Sequence, residues 1–222
     1  MKSIITTTVI DRAIGPQTPG QPIPETYAVV IIWRFSPLNL LAWINLTVVC
    51  VNKNFFRILD IGVGSGCILL SILQERKNFY GSGIDISKNS LEISKINAKK
   101  LFVDERVKFY KSDVDKFTQG KYDLIVSNPP YIKRCDLKYL DRDVYKFEPK
   151  LALDGGLDGL SEIRKVIKKS SVLVKKNGKF ILEIGFDQKN KVIKLLNEEG
   201  FYINSTLRDL AKNDRCIVST KI

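Results

Sequence analysis

Asp123-Leu124-Ile125-Val126-Ser127-Asn128-Pro129-Pro130-Tyr131 decides how the chain is read. A nearly continuous apolar run with a β-branched pair predicts a strand buried on both faces of a parallel sheet. The two prolines that follow permit neither a ladder nor a helix, so the chain must leave the sheet as a stiff, extended loop. That loop carries a carboxamide (Asn128) and an aromatic ring (Tyr131). It is suited to gripping a flat polar group rather than to filling a core.

Working outward, strand and helix patterns alternate. Arg57–Ile61, Phe79–Ile84, Arg106–Lys111, Tyr122–Ser127 and Lys179–Ile184 read as strands. Cys67–Leu73, Lys88–Leu101 (with Ser87 as N-cap), Leu160–Lys175 and Gln188–Glu199 read as helices, two of them closed by Asn177-Gly178 and Gly200. Phe201–Leu207 and Cys216–Ser219 read as antiparallel strands at one edge. Alternation of this kind predicts an α/β fold, a doubly wound and mostly parallel sheet covered on both faces. Ligands of open sheets bind beyond the carboxyl ends of the strands, where strand order reverses. With an order beginning 3-2-1-4, the loops after the first and fourth strands face each other there.

The loop after the first strand is Asp60-Ile61-Gly62-Val63-Gly64-Ser65-Gly66. Glycines allow a sharp turn and close approach of a ligand to the backbone. The spacing differs from the dinucleotide fingerprint, so no pyrophosphate site is expected. Asp60 precedes the turn, Asp85 ends the second strand and Asp113 ends the third. Asp85 suits a pair of ribose hydroxyls, Asp113 an adenine amino group and Asp60 an ammonium group. Singly, each aspartate also fits an N-cap or turn. Together they point to S-adenosylmethionine, with Gly62, Gly64 and Gly66 beneath it and Asn128 beside it.

Composition removes other chemistries. The chain has no histidine among its 222 residues, which excludes Ser-His-Asp and Cys-His catalysis and any His-containing metal site. The four cysteines, Cys50, Cys67, Cys135 and Cys216, are far apart, as expected of free thiols in the cytoplasm, and no metal is expected. A net charge of +12 fits either nucleic-acid contact or a solvated lysine surface, and no arginine-aromatic interleaving marks a nucleic-acid face.

Residues 1–56 form an atypical segment ahead of a domain spanning 57–222. Met1–Gln21 has loop chemistry and lacks a signal-peptide pattern. Residues 28–51 are strongly apolar, but Arg34, Pro37, Asn39 and Asn45 interrupt them. One central arginine costs about 2.5–3.5 kcal/mol on insertion scales, so a packing layer or partner surface is expected rather than a membrane span.

The chain resembles the class I S-adenosylmethionine-dependent methyltransferases, and more narrowly the HemK/PrmC-type protein glutamine methyltransferases. Four stretches carry the resemblance: Asp60–Gly66 with Cys67-Ile68; Val126–Ile132; Phe147-Glu148-Pro149-Lys150-Leu151-Ala152-Leu153-Asp154-Gly155-Gly156 with Asp158-Gly159-Leu160; and Asn177-Gly178 with Leu182-Glu183-Ile184-Gly185. The first is generic to methyltransferases and the second is shared with adenine amino methyltransferases. The third is the narrow one. Such a family implies a Rossmann-like seven-stranded sheet in the order 3-2-1-4-5-7-6. It implies methylation of a glutamine side-chain amide, in the Gly-Gly-Gln loop of a peptide-chain release factor. Asn128 and Pro129 would hold that amide, with Pro130 and Tyr131 completing the substrate contact. A monomer without stable nucleic-acid or membrane binding is expected. The family usually begins with a helical bundle and a hairpin bearing Pro-Arg-Pro-Glu-Thr-Glu; here only Pro24-Glu25-Thr26 matches, with Ile23 and Tyr27 departing. Two other readings stay open: an adenine methyltransferase acting on DNA or RNA, and a cofactor-binding remnant without substrate docking.

Overall fold

The structure is a computed structural model, and it describes residues 56–139 and 152–222. The apolar stretch 28–51, Pro24-Glu25-Thr26 and Glu148-Pro149 lie outside those residues.

In chain order the elements are β1 (Phe56–Ile61), α1 (Cys67–Glu75), β2 (Phe79–Asp85), α2 (Lys88–Lys100), β3 (Val107–Lys111) and β4 (Tyr122–Ser127). They continue with α3 (Ser161–Leu173), β5 (Val174–Glu183), α4 (Lys189–Glu198), β6 (Phe201–Arg208) and β7 (Asp214–Lys221). One seven-stranded sheet has the order β3-β2-β1-β4-β5-β7-β6. The pairings from β3 through β5 are parallel, and β7 runs antiparallel to both β5 and β6. The doubly wound, mostly parallel sheet expected from the alternation is present, including its reversal point between β1 and β4.

Period-2 patterning divides the core. Leu124 and Val126 of β4 pack with α1 and α2 residues such as Leu69, Leu73 and Leu91. Ile125 faces the other way, among Ile163, Ile167, Val192 and Leu196 of α3 and α4. Both faces are sealed, which is why the strand reads as an unbroken apolar run.

Two of the boundaries that differ from the sequence reading are set by contacts made only in the folded chain. Arg106 does not begin a strand. It closes a short 3-10 turn, Asp104–Arg106, and its guanidinium donates to Leu73 O (2.7 Å), Arg76 O (2.9 Å) and Phe79 O (3.0 Å). The cation thus satisfies carbonyls at the carboxyl end of α1, where the helix dipole favours it. At the other boundary, α3 stops at Leu173 instead of running through the lysines to Asn177-Gly178. Val174 is extended and buried, and it pairs with Tyr122. The chain then bulges before Lys179 pairs with Leu124, with Asn177 at φ +62°. This bulge lets the Lys175 ammonium reach the buried Asp123 carboxylate at 2.9 Å. Asp123 also accepts the Arg57 amide at 3.0 Å.

Ile125 is fully buried at the centre of the sheet. Ile125→Ala is expected to destabilise the chain by about 2–5 kcal/mol, through lost burial and a residual cavity. Urea denaturation followed by circular dichroism checks this; a loss below about 1 kcal/mol would show that the core collapses into the space.

Candidate active site

Register places the two loops together. Asp60 pairs with Val126 and Ile61 with Ser127, so the glycine turn and the Asn-Pro-Pro-Tyr loop leave adjacent strands at the same level. Adjacent strands are about 4.8 Å apart. The buried Ser127 hydroxyl donates to Ile61 O at 2.7 Å and locks this exit.

The turn is held from beneath and from the side. Gly62, Gly64 and Gly66 have φ of +74°, +55° and +84°, a left-handed conformation that favours glycine. The Gly62 and Val63 amides both donate to Ile84 O at 2.9 Å. From α2, Ser94 Oγ donates to Gly64 O (2.6 Å) and Asn97 Nδ2 to Ser65 O (2.9 Å). A Cβ added at Gly62 or Gly64 would meet nothing within 4 Å. Their backbone therefore presents an open face that a ligand can approach closely. Gly66 serves packing instead, since a Cβ there would lie 2.7 Å from Leu70 Cδ1.

The three aspartates take different positions. Asp85 accepts the Gly64 amide on Oδ2 (2.9 Å) and the Ser87 amide on Oδ1 (2.8 Å). A carboxylate offers about four acceptor sites, so two ligand hydroxyls can still be received. Asp60 is buried beneath the turn, where it accepts the Leu69 amide at the start of α1. Burial pushes its carboxyl up to about 7; that amide opposes the shift and the nearby Asp85 charge adds to it. Asp113 is exposed, and its Oδ1 accepts the Asp115 amide at 3.0 Å, as a turn residue does. It still flanks Asp85, because Ser112 N donates to Asp85 O at 3.0 Å. Cys67, beside the turn, is a poor nucleophile: burial, then the Asp60 charge, pushes its thiol up to about 11.

On the opposite side, Asn128 is half-buried and Pro129 buried. Among the described residues neither the Asn128 carboxamide nor the Pro129 carbonyl has a hydrogen-bond partner. Polar atoms of a buried or half-buried residue left open at a strand end are suited to receiving a ligand. Tyr131 lies behind them. Its hydroxyl donates a long hydrogen bond to Glu183 Oε1 (3.4 Å), and the Arg215 guanidinium sits 5.9 Å from its ring centroid. Burial raises Tyr131 to about 12, with the Glu183 charge adding to the shift. Burial likewise raises Glu183 to about 7, while Arg215 and the Tyr131 hydroxyl partly offset it.

The loop's exit is strapped down by Leu153, Gly155 and Gly156. Ile132 N donates to Leu153 O, Gly155 N to Ile132 O and Arg134 N to Gly156 O, at 2.8–3.1 Å. Gly155 must lack a side chain, because a Cβ would fall 2.9 Å from Tyr131 Cα. The buried Gln188 amide joins this strap, donating to both Tyr131 O and Gly159 O.

Ser94, Asn97, Gln188 and Arg215 were not legible as site-supporting residues from sequence. A signal existed for the first two, polar residues on the stripe of α2 that also carries Leu91 and Ala98. None existed for Gln188 or Arg215. Among the described residues no group of His, Cys, Asp or Glu could hold a metal ion, and no helix is long and apolar enough to cross a membrane.

The profile of the methyltransferase-domain family matches residues 52–216. This chain belongs to that family. The methyltransferase domain is 38% identical over 165 residues to a release factor glutamine methyltransferase of Rhodospirillum rubrum, covering 74% of this chain and 51% of the relative. It is 39% identical over 170 residues to the protein of the same name from Caulobacter vibrioides, covering 75% and 58%. The chain thus spans about half the length of these curated relatives, 51% and 58%. Among solved structures, magnesium protoporphyrin IX methyltransferase from Synechocystis, determined with bound SAM, superposes with a TM-score of 0.61 at 16% identity. That superposition covers 92% of this chain and 87% of the other, and it shows a shared Rossmann-like fold.

A carboxyl raised by burial makes the folded state bind a proton that the unfolded chain has released. Glu183 therefore costs no stability below its ordinary value near 4.5, and an increasing amount as pH rises through about 7. Glu183→Gln is expected to flatten the fall in urea midpoint over that window and to be more stable than wild type by on the order of 1–3 kcal/mol at about pH 8. An unchanged pH dependence would show that Glu183 ionises without penalty.

Proposed function

We propose that the methyltransferase domain transfers a methyl group from S-adenosylmethionine to the side-chain amide nitrogen of a glutamine, in the Gly-Gly-Gln loop of a peptide-chain release factor. The observation that carries this reading is the pair of open acceptors, Asn128 Oδ1 and the Pro129 carbonyl, beside an open glycine turn. The names of the R. rubrum and C. vibrioides relatives support the choice of substrate.

The residues present fit the cofactor. Gly62 and Gly64 leave an unobstructed backbone face, the Asp85 carboxylate retains acceptor capacity for the ribose hydroxyls, and Asp113 flanks it for the adenine amino group. Asp60 lies beneath the turn with its carboxyl pushed up to about 7 by burial, and an ammonium group above it would favour the carboxylate form. Bound there, S-adenosylmethionine supplies an electrophilic methyl group, and the protein contributes position and electrostatics.

A glutamine amide is a weak nucleophile because its nitrogen lone pair is delocalised into the carbonyl. Asn128 Oδ1 and Pro129 O each accept one N–H hydrogen, which fixes the plane of the NH₂ and favours positive charge developing on nitrogen. Pro130 stiffens the loop so that both acceptors keep their spacing. Tyr131 gives the flat amide a ring wall. The methylated amide cation is acidic enough to lose its proton to water, so no histidine is required. In this reading residues 57–222 act as one catalytic unit, a cytoplasmic monomer, and residues 1–56 form a separate segment.

Incubating the 222-residue chain with tritiated S-adenosylmethionine and, separately, release factor, DNA and tRNA tests the proposal. Label is expected in the release factor alone, and it should disappear when the Gly-Gly-Gln glutamine is replaced. Label in DNA or tRNA, or in none of the three, would contradict it. Asn128→Ala is expected to lower kcat by at least about 100-fold while the cofactor Kd stays within about 3-fold. Asp85→Ala should weaken cofactor binding by about 10–100-fold in calorimetry, since it removes hydrogen bonds to a charged acceptor and frees Gly64. An unaltered kcat in the first variant, or an unaltered Kd in the second, overturns the role assigned.

A further inference from the structure

Gln188 stands where an N-cap residue stands, directly before α4, yet its side chain makes no cap hydrogen bond to that helix. The side chain turns instead toward three loops. Its Oε1 accepts the Gly185 amide at 2.9 Å, from the turn that leaves β5. Its Nε2 donates to Tyr131 O at 2.9 Å and to Gly159 O at 3.0 Å. Gln188 is buried, 3% exposed, and both donors and the oxygen of its carboxamide are committed to these partners.

The surrounding glycines show how closely these loops are drawn in. Gly159 has φ +75°, and a Cβ there would lie 2.7 Å from Tyr131 O and 2.8 Å from Gln188 Nε2. At Gly185 a Cβ would lie 3.0 Å from the Gln188 side chain. Tyr131 directly follows Asn128-Pro129-Pro130, and the two prolines transmit any shift of its carbonyl back to the open acceptors.

We propose that Gln188 is a positioning residue, whose amide sets the placement of the Asn-Pro-Pro-Tyr loop by holding Tyr131 O against Gly159 and the end of β5. The consequence for catalysis rests on the methyl-transfer reading above; the mechanical role does not. A loop held at one point through buried hydrogen bonds keeps Asn128 Oδ1 and Pro129 O aligned. Released, it would let those acceptors wander by distances to which turnover is steeply sensitive.

Two variants of the full chain test this. Gln188→Met keeps the length and removes all three hydrogen bonds. Gln188→Glu keeps the acceptor for Gly185 and removes both donors. In each, amide hydrogen exchange is expected to speed up at Ile132, Arg134 and Gly155, with protection of β1 and the S-adenosylmethionine Kd unchanged. With substrate, kcat is expected to fall by about 10–100-fold. Unchanged exchange at those amides overturns the proposal. So does faster exchange with full turnover, and so does loss of protection across the whole sheet, which would make Gln188 a residue of the fold alone. A wild-type chain that transfers no methyl group contradicts the proposed function, while the exchange comparison still decides the role of Gln188.

Discussion

The site depends on the parallel register of β1 and β4. Because Ile61 pairs with Ser127, the chain leaves both strands at one level, and the Ser127 hydroxyl bonds to Ile61 O across the gap. Crossover connections place α1 and α2 on one face and α3 and α4 on the other, so among the described residues the reversal point opens beyond the strand ends. A shift of one residue in this register would send Ile125 to the opposite face and separate the glycine turn from the Asn-Pro-Pro-Tyr loop. The buried apolar pattern of β4 is therefore also what fixes the geometry of the site.

Around that junction the fold spends stability on order. Three left-handed glycines form the turn, and hydrogen bonds from Ser94 and Asn97 of α2 restrain it. Asp60 and Glu183, on either side of the reversal point, are buried carboxyls pushed up to about 7. Apolar residues there would cost less. Positive charge arriving over the turn, or developing on an amide held by Asn128 and Pro129, would lower both carboxyls by attraction and recover part of that cost. Arg215, paired with Asp209 at 3.0 Å, already does so for Glu183 from one side.

Much of this was legible from residues. Near-continuous apolar runs, glycine punctuation and strand-end aspartates located the five parallel strands, the antiparallel edge and the two loops that meet at the reversal point. The misread boundaries arose where a tertiary contact overrode local chemistry. Lys175 and Lys176 look like a helix tail, but burial of Val174 and the pull of Asp123 draw them into a bulged strand. Arg106 looks like the first residue of a strand, yet it is needed as a cap for α1. Asp113 is a turn acceptor, the alternative that the sequence held open for each aspartate taken singly. Gln188 was unreadable because its three partners lie in three separate loops, and only the folded chain brings them to one amide.

The central claim is that an amide is gripped at the end of β4 opposite a methyl donor over the glycine turn. A crystal structure of the chain with S-adenosylhomocysteine and a Gly-Gly-Gln peptide tests it most directly. The account predicts the glutamine amide nitrogen about 3 Å from both Asn128 Oδ1 and Pro129 O, with the cofactor lying along Gly62–Gly66 and its ribose on Asp85. A peptide amide bound elsewhere, or a cofactor not seated on that turn, would contradict it.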